Sequence, residues 1–253
     1  MTENKNPNTA PFPETADIDT SSDDYATRFS GKTGAWMLKV QEEITLRMMK
    51  AWPGAQVLDV GGGHGQLAIP LCREGYKVTV LGSAESCRHR IRDMVDSGAC
   101  RFAVGNVVAL PFKDKAFDVV VSFRMVTHCN QWPQLIKELS RVARNAVIVD
   151  YPTSQSANAI APLLFEAKKK VEKNTRTWRL FKHEEVLGEF EKNGYAVRSM
   201  EKQFFLPMVL HRMLKSESLS GGMEKICRAM GLTRLWGSPV ILCMTPGAAT
   251  PAV

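Results

Sequence analysis

The stretch Val57-Leu-Asp-Val-Gly-Gly-Gly-His-Gly-Gln-Leu67 decides the fold of this chain. The short apolar burst from Gln56 to Val60, bounded by glycines, has the pattern of a strand buried on both faces of a parallel sheet. The glycines that follow let backbone approach a ligand where any Cβ would collide. The helix that begins after them, Gln66 to Glu74 closed by Gly75, offers unpaired N–H groups at its start. Strand, glycine turn and helix in that order read as the ligand-binding corner of an α/β protein.

Working outward, the same alternation continues. Lys77 to Leu81 reads as a second strand, Ser86 to Asp96 as a polar helix, Arg101 to Val104 as a short strand and Phe117 to Ser122 as another buried one. An amphipathic helix over Gln134 to Ala143 leads to a fifth strand, Ala146 to Val149. Upstream, Trp36, Met37, Val40, Ile44, Leu46, Met48 and Met49 recur at near-helical spacing until Pro53-Gly54, a lead-in helix. Downstream, Pro152 to Thr177 breaks the rhythm with one helix over Ala161 to Lys173. A helix over His183 to Lys192 and a strand over Tyr195 to Phe205 follow. Short helices then run from Pro207 to Leu235, broken at Gly221-Gly222 and Gly231, before a last strand at Pro239 to Met244. The expectation is a Rossmann-like, doubly wound α/β fold with a mostly parallel seven-stranded sheet, and helical insertions (152–180 and 207–235) over the carboxyl ends of the strands. One domain over 25–245 follows, with a disordered tail at 1–24, rich in Pro, Thr, Asn, Asp and Ser, and a flexible one at 246–253.

Composition narrows the function classes. The 253 residues are 44% apolar and carry a formal charge of +7, and no run of about 18 apolar residues suggests a membrane span. Residues 1–24 hold six acids and one Lys with no apolar run, unlike a secretion signal or transit peptide, so the expected compartment is the cytoplasm. The six cysteines show neither a C-x-x-C pair nor a metal-spaced Cys/His cluster and are expected to be reduced thiols, with no metal bound. Residues 1–160 hold 18 Lys and Arg against 17 acids, whereas 161–253 hold 15 against 9. The surplus positive charge therefore lies in the last third, without the basic, aromatic-interleaved stripe of a nucleic-acid binder.

Two cofactors compete for the glycine loop. Gly63-His-Gly65-Gln-Leu-Ala68 can be read as the dinucleotide pattern G-x-G-x-x-A, but the end of the second strand, Val80-Leu-Gly82-Ser83, lacks the acid expected to bind a ribose. Asp59-x-Gly61-x-Gly63-x-Gly65 uses every feature of the run. This stretch resembles motif I of class I S-adenosylmethionine-dependent methyltransferases, especially the group that includes ubiquinone and menaquinone biosynthesis methyltransferases. Gly105-Asn-Val-Val-Ala-Leu-Pro-Phe112, the Phe117 to Ser122 strand with Asp118, and Phe123 to Cys129 followed by the Leu135 to Val142 helix are similar to that group's later motifs, in the same order over residues 25–151.

The resemblance implies S-adenosyl-L-methionine as cofactor. Asp59, Gly61, Gly62, Gly63 and Gly65 would hold its methionine part; Gly82 and Ser83 would face its ribose; Asn106, Val107 and Phe123 would complete the site. Gly82 stands where Asp or Glu is usual, with Ser83 or Glu85 as substitutes, and Asn106 stands where Asp is common, its amide oxygen available to an adenine amino group. His128, just past the fourth strand, is the expected general base. Arg124, Thr127, Asp150 and Tyr151 fall at the ends of strands four and five and are expected to face the acceptor. Basic residues interleaved with Trp178 and Phe181, and Arg212 and Lys215 among Phe204, Met208 and Met213, suit a small acceptor with an anionic group and a lipophilic body, or docking on an anionic membrane surface. The reading is methyl transfer to an O or C atom of a lipophilic or aromatic acceptor, a quinone precursor or lipid-linked intermediate. A noncatalytic cofactor-binding scaffold and a nicotinamide-dependent oxidoreductase are the rivals. The sequence leaves the oligomeric state open.

Overall fold

In the computed structural model, which describes residues 12–157 and 179–247, seven strands form one sheet in the order β3-β2-β1-β4-β5-β7-β6. They are β1 (Gln56–Val60), β2 (Lys77–Gly82), β3 (Arg101–Val104), β4 (Phe117–Ser122), β5 (Ala143–Tyr151), β6 (Tyr195–Phe204) and β7 (Ser238–Pro246). The first five run parallel, and β7 pairs antiparallel with both β5 and β6. The expected Rossmann-like, doubly wound sheet is what forms. Strand order reverses between β1 and β4, and the crevice at the carboxyl ends of these two strands is where such sheets bind ligands.

The period-two side-chain pattern of the strands divides the core. Leu58, Val60, Leu81, Val120, Val147, Val149 and Leu242 point to one face and belong to one buried cluster. Val57, Val78, Val80, Val119, Val121, Ala146, Ile148 and Ile241 point to the other. Both faces are covered by helices, which is why these strands read as continuous apolar runs.

Ten helices accompany the strands among the described residues: α1 (Ala16–Thr20), α2 (Asp23–Thr27), α3 (Gly31–Met49), α4 (Ala68–Arg73), α5 (Arg92–Asp96), α6 (Trp132–Val142), α7 (His183–Lys192), α8 (Met208–Leu214), α9 (Glu217–Ala229) and α10 (Leu232–Trp236). Leu135, Ile136, Leu139 and Val142 of α6 and Val186 and Phe190 of α7 pack on the first face. Ile44, Met48 and Met49 of α3 and Ala68 and Leu71 of α4 pack on the second. The polar helix read over Ser86 to Asp96 is a 3-10 segment, Glu85–Ile91, followed by the short α5.

Three expectations need correction or placement. Residues 12–24, read as part of a disordered tail, fold into α1 and the start of α2: Glu14, Asp17, Thr20 and Ser21 are buried, and Ser22 caps α2 by accepting from the Tyr25 N–H at 3.2 Å. Polar side chains rather than apolar ones tie this segment down. The helix break at Gly221-Gly222 does not occur, because α9 runs through both glycines. Each glycine costs a helix about 1 kcal/mol, but Ser216 caps α9 and a Cβ at Gly221 would lie only 3.6 Å from the Trp36 indole nitrogen, so capping and close packing outweigh that cost. Gly231 does end it, at φ +77°. The helix read over Ala161 to Lys173 lies outside the described residues.

Candidate functional site

The strand β1 ends in Asp59-Val60, and the glycine turn then coils back over the Asp59 side chain. A Cβ at Gly62 would lie 2.1 Å from the Asp59 carboxyl carbon, and Gly61 takes φ +76° with Met125 directly beneath it. These two positions accept only glycine: the first for close approach, the second for its left-handed backbone as well. The 3-10 turn Gly62–His64 and Gly65 carry the chain into α4.

A narrow cleft, with about 20 Å³ of free volume, opens here, lined by Thr20, Asp59, Gly61, Gly62, His64, Gln66, Leu67, Phe123 and Arg124. Its polar lining is short of partners: Asp59 Oδ2, both His64 ring nitrogens, Gln66 Nε2 and Arg124 Nη2 are buried with no hydrogen-bond partner in the protein. Buried polar atoms are nearly always satisfied, so four such side chains around one cleft point to a polar ligand. Burial pushes the Asp59 carboxyl up to about 7, with Arg124 pulling the other way. Burial, then the Arg124 and Arg90 charges, hold His64 down to about 3, so its ring is neutral.

Arg124 is positioned by strain and a buried carboxylate. Its φ is +65°, rare for a side chain of this kind, and its backbone N–H donates to Asp150 Oδ1 at 2.5 Å. Asp150 also accepts from Gln41 Nε2 of α3 at 3.0 Å, and burial pushes its pKa up to about 6. The Arg124 guanidinium lies over the Phe29 ring at 4.6 Å and the Tyr25 ring at 5.4 Å. Asp150 thus sits at the site as a positioning group behind Arg124 rather than on the cleft surface.

Other residues expected at the site are placed differently. The Thr127 hydroxyl donates to the Arg179 carbonyl at 2.9 Å, fastening the returning chain. Tyr151 is fully buried among core aromatics, its hydroxyl 2.9 Å from His183 Nδ1 and its pKa pushed up by burial. Those placements correct the expectation that Thr127 and Tyr151 face an acceptor. β5 runs to Tyr151 because β7 pairs with it there, which turns that side chain into the core. His128 is half-buried in the turn after β4, where its backbone N–H donates to Met125, and it does not line the cleft.

The far end of the cleft, where β2 finishes, is closed. A Cβ at Gly82 would meet Cys87 Cβ at 2.6 Å and Phe102 Cζ at 3.1 Å, so no larger residue fits there without a shift. Ser83 is fully buried, and both its N–H and its hydroxyl donate to the Asp17 carboxylate of α1, each at 2.5 Å. Glu85, the other substitute, is ion-paired with Arg88 at the surface. The Asn106 amide oxygen accepts from the Val108 N–H at 3.0 Å, and Val107 is fully buried in the core. Sequence reasoning missed Asp17, Thr20, Tyr25 and Phe29 as site residues. The signal available was the six acids of the first 24 residues; His64 and Gln66 stood in the glycine run itself.

Comparison with known proteins agrees with this layout. The methyltransferase-domain family matches residues 58–149, from β1 through most of β5. A malonyl-[acyl-carrier protein] O-methyltransferase of Pectobacterium atrosepticum is 28% identical over 149 residues, covering 59% of this chain and 57% of that one. A 2-methyl-6-phytyl-1,4-hydroquinone methyltransferase of Synechocystis is 32% identical over 119 residues, 46% of this chain and 37% of the other. The chain spans about half the length of the first curated relatives it matches. Among solved structures, the magnesium protoporphyrin IX methyltransferase of Synechocystis with bound SAH superposes with a TM-score of 0.61 at 15% identity, covering 91% and 98% of the two chains. A [4+2]-cyclase superposes at 0.56 with 17% identity over 82% and 81%, so the fold by itself does not fix the reaction. The glycine loop, the motif order and the sheet topology agree with that match, in which residues 58–149 of this chain are similar to the methyltransferase-domain family.

Proposed function

We propose that the chain binds S-adenosyl-L-methionine at the glycine-loop cleft and transfers its methyl group to an O or C atom of a small lipophilic or aromatic acceptor. The observation that carries this reading is the set of orphaned polar atoms around the cleft. An unpaired carboxylate oxygen on Asp59 lines the same cleft as unpaired donors on Gln66 and Arg124, which fits a zwitterionic amino-acid group: Asp59 for its ammonium, Arg124 and Gln66 for its carboxylate. Phe123 supplies an apolar wall of the cleft. The cofactor brings a methyl group already activated on a sulfonium sulfur.

The chain's own part is then alignment, dry surroundings and, for a hydroxyl acceptor, removal of a proton. His64 lines the cleft, but with its pKa near 3 it is too weak a base for that work. We assign the proton to His128, half-buried in the turn after β4 and outside the cleft lining, for an acceptor that approaches from that side. Its exchange for alanine is expected to lower methyl incorporation at least about hundredfold while leaving cofactor affinity unchanged. Unchanged incorporation of tritiated methyl into a lysate lipid extract retires His128. Binding is tested first by calorimetry with S-adenosylmethionine, S-adenosylhomocysteine and NADH. Binding of the first two is expected, and silence from both at millimolar concentration sinks the reading. NADH binding instead favours the oxidoreductase reading; cofactor binding without methyl incorporation favours the noncatalytic one, which Gly82 and Asn106 motivate.

The acceptor side is read from the helical additions, and we extend the domain's start from Tyr25 to Glu14. Met213, Leu219, Ile226, Met230, Leu235 and Trp236 are exposed on α8, α9 and α10, with Lys215, Lys225, Arg228 and Arg234 exposed around them. Apolar side chains exposed among basic ones suit an anionic lipid surface. Sedimentation with anionic but not neutral vesicles, weakened by salt and by Ile226→Glu, is expected; equal behaviour on both vesicle types discards it. The basic stretch Lys168 to Arg176 and Trp178 lie outside the described residues.

A further inference from the structure

The first residues of the fold form a strap across the carboxyl ends of the strands, pinned by three carboxylates. Glu14 Oε1 accepts from the Gln131 N–H beyond β4 at 2.8 Å. Asp17 accepts from the Ser83 N–H and hydroxyl at the end of β2. Asp23 accepts from Arg90 Nη1 at 2.6 Å and lies 3.2 Å from His89 Nε2. The last anchor differs from the first two. Glu14 and Asp17 are buried, whereas Asp23 is largely exposed.

Three donors converge on Asp17: the Ser83 N–H, the Ser83 hydroxyl and the Cys87 thiol, the last at 3.4 Å. Where β2 ends, this chain presents donors and no carboxylate on the strand end itself, because Gly82 has no side chain and Cys87 and Phe102 fill the space one would take. Converging N–H, O–H and S–H donors suit an anion. The strap also covers the loop beside it: Asp17 Cβ lies 3.5 Å from the place of a Cβ on Gly61, and Ser21 Oγ lies 2.4 Å from the place of one on Gly63. Those are the faces that a nucleoside reaching from the loop to the end of β2 would use. The open cleft stops short of them, at Thr20.

We infer that the end of β2 is a carboxylate-binding site whose ligand is the chain's own Asp17, and that Asp17 and the ribose of the cofactor compete for it. This rests on the cofactor reading above. It makes release of the strap a step in loading the cofactor, and it sets apparent affinity by the fraction of molecules with the strap released.

Two variants loosen the strap by different routes. Asp17→Asn removes the charge from the contested site itself; Glu14→Gln weakens the strap at its far anchor and leaves Asp17 intact. Calorimetry with S-adenosylhomocysteine is expected to show about tenfold tighter binding for the first and about threefold for the second. Hydrogen exchange over residues 12–24 of the wild-type chain is expected to speed up when S-adenosylhomocysteine is added. Weaker or unchanged binding by Asp17→Asn, or slower exchange in the strap on adding the ligand, overturns the competition and makes Asp17 a ribose ligand or a bystander, with the cofactor reading intact. Absence of binding by all three proteins overturns the cofactor reading, and the competition with it.

Discussion

At one end of the glycine-loop cleft, Asp59, His64, Gln66 and Arg124 hold buried polar atoms that nothing in the chain satisfies. At the other, Ser83 and Asp17 satisfy each other at 2.5 Å, with no space between them. Both ends are built from the same strand-to-helix turns on neighbouring parallel strands, so the fold does not explain the difference. The residues do. Where β1 ends, a buried acid faces a cleft and is left unpaired, which costs stability that a ligand can return. Where β2 ends, a glycine removes the acid and the chain brings another from α1. Orphaned polar atoms mark a place where a ligand supplies the partners; a self-satisfied pair marks a place that a ligand must take over.

The strongest way to break this contrast is Asp59→Asn. Affinity for S-adenosylhomocysteine is expected to fall about hundredfold, close to the value of a charged hydrogen bond in a buried site. The free protein is expected to gain stability at pH 8, because the variant no longer buries an unpaired carboxylate. A loss of both affinity and stability would mean that Asp59 has a structural partner after all. Next is Asp17→Asn, whose expected effect has the opposite sign and is about tenfold; the same sign for both variants would erase the distinction between the two ends.

The pH dependence sharpens the first end. The Asp59 carboxyl is raised from its ordinary 3.8 to about 7 by burial, and Asp150 to about 6. In both, the folded state holds a proton that the unfolded chain has lost. Their contribution to stability is therefore present below pH about 4 and is lost as pH rises through about 6 and 7. The wild-type chain should lose stability across that window relative to Asp59→Asn, by denaturant titration. Ligand affinity should move the other way, rising about tenfold between pH 6 and 8 as Asp59 ionises, and staying flat in the asparagine variant. The smallest expected effect is that of Glu14→Gln, about threefold in affinity, with faster hydrogen exchange confined to the strap.

Much of this molecule was legible in its residues. The strands alternate between two covered faces, so apolar runs such as Phe117 to Ser122 marked them, and the glycines of 61–65 marked the turn because only glycine tolerates a Cβ-free approach and φ of +76°. The lead-in helix and the count of seven strands followed from the same local periodicities; their order in the sheet did not. The α9 helix was harder, because the capping by Ser216 and the close packing at Trp36 that carry it through Gly221-Gly222 are not visible in the local pattern.

The site divides along the same line. By itself the sequence determined the sheet, the loop and the acid beneath it, since each is written in a window of a few residues by spacing, side-chain volume and backbone freedom. Only the tertiary structure decided which polar groups remain unpaired. Asp17 meets Ser83 from 66 positions away, Gln41 meets Asp150 from 109, and Tyr151 turns into the core because β7 pairs beside it. A carboxylate has no local signature of its eventual partner. Its charge can be read from the chain, but whether it ends up in a tail, in a clamp or in a cleft is set by contacts that exist only once the sheet has formed.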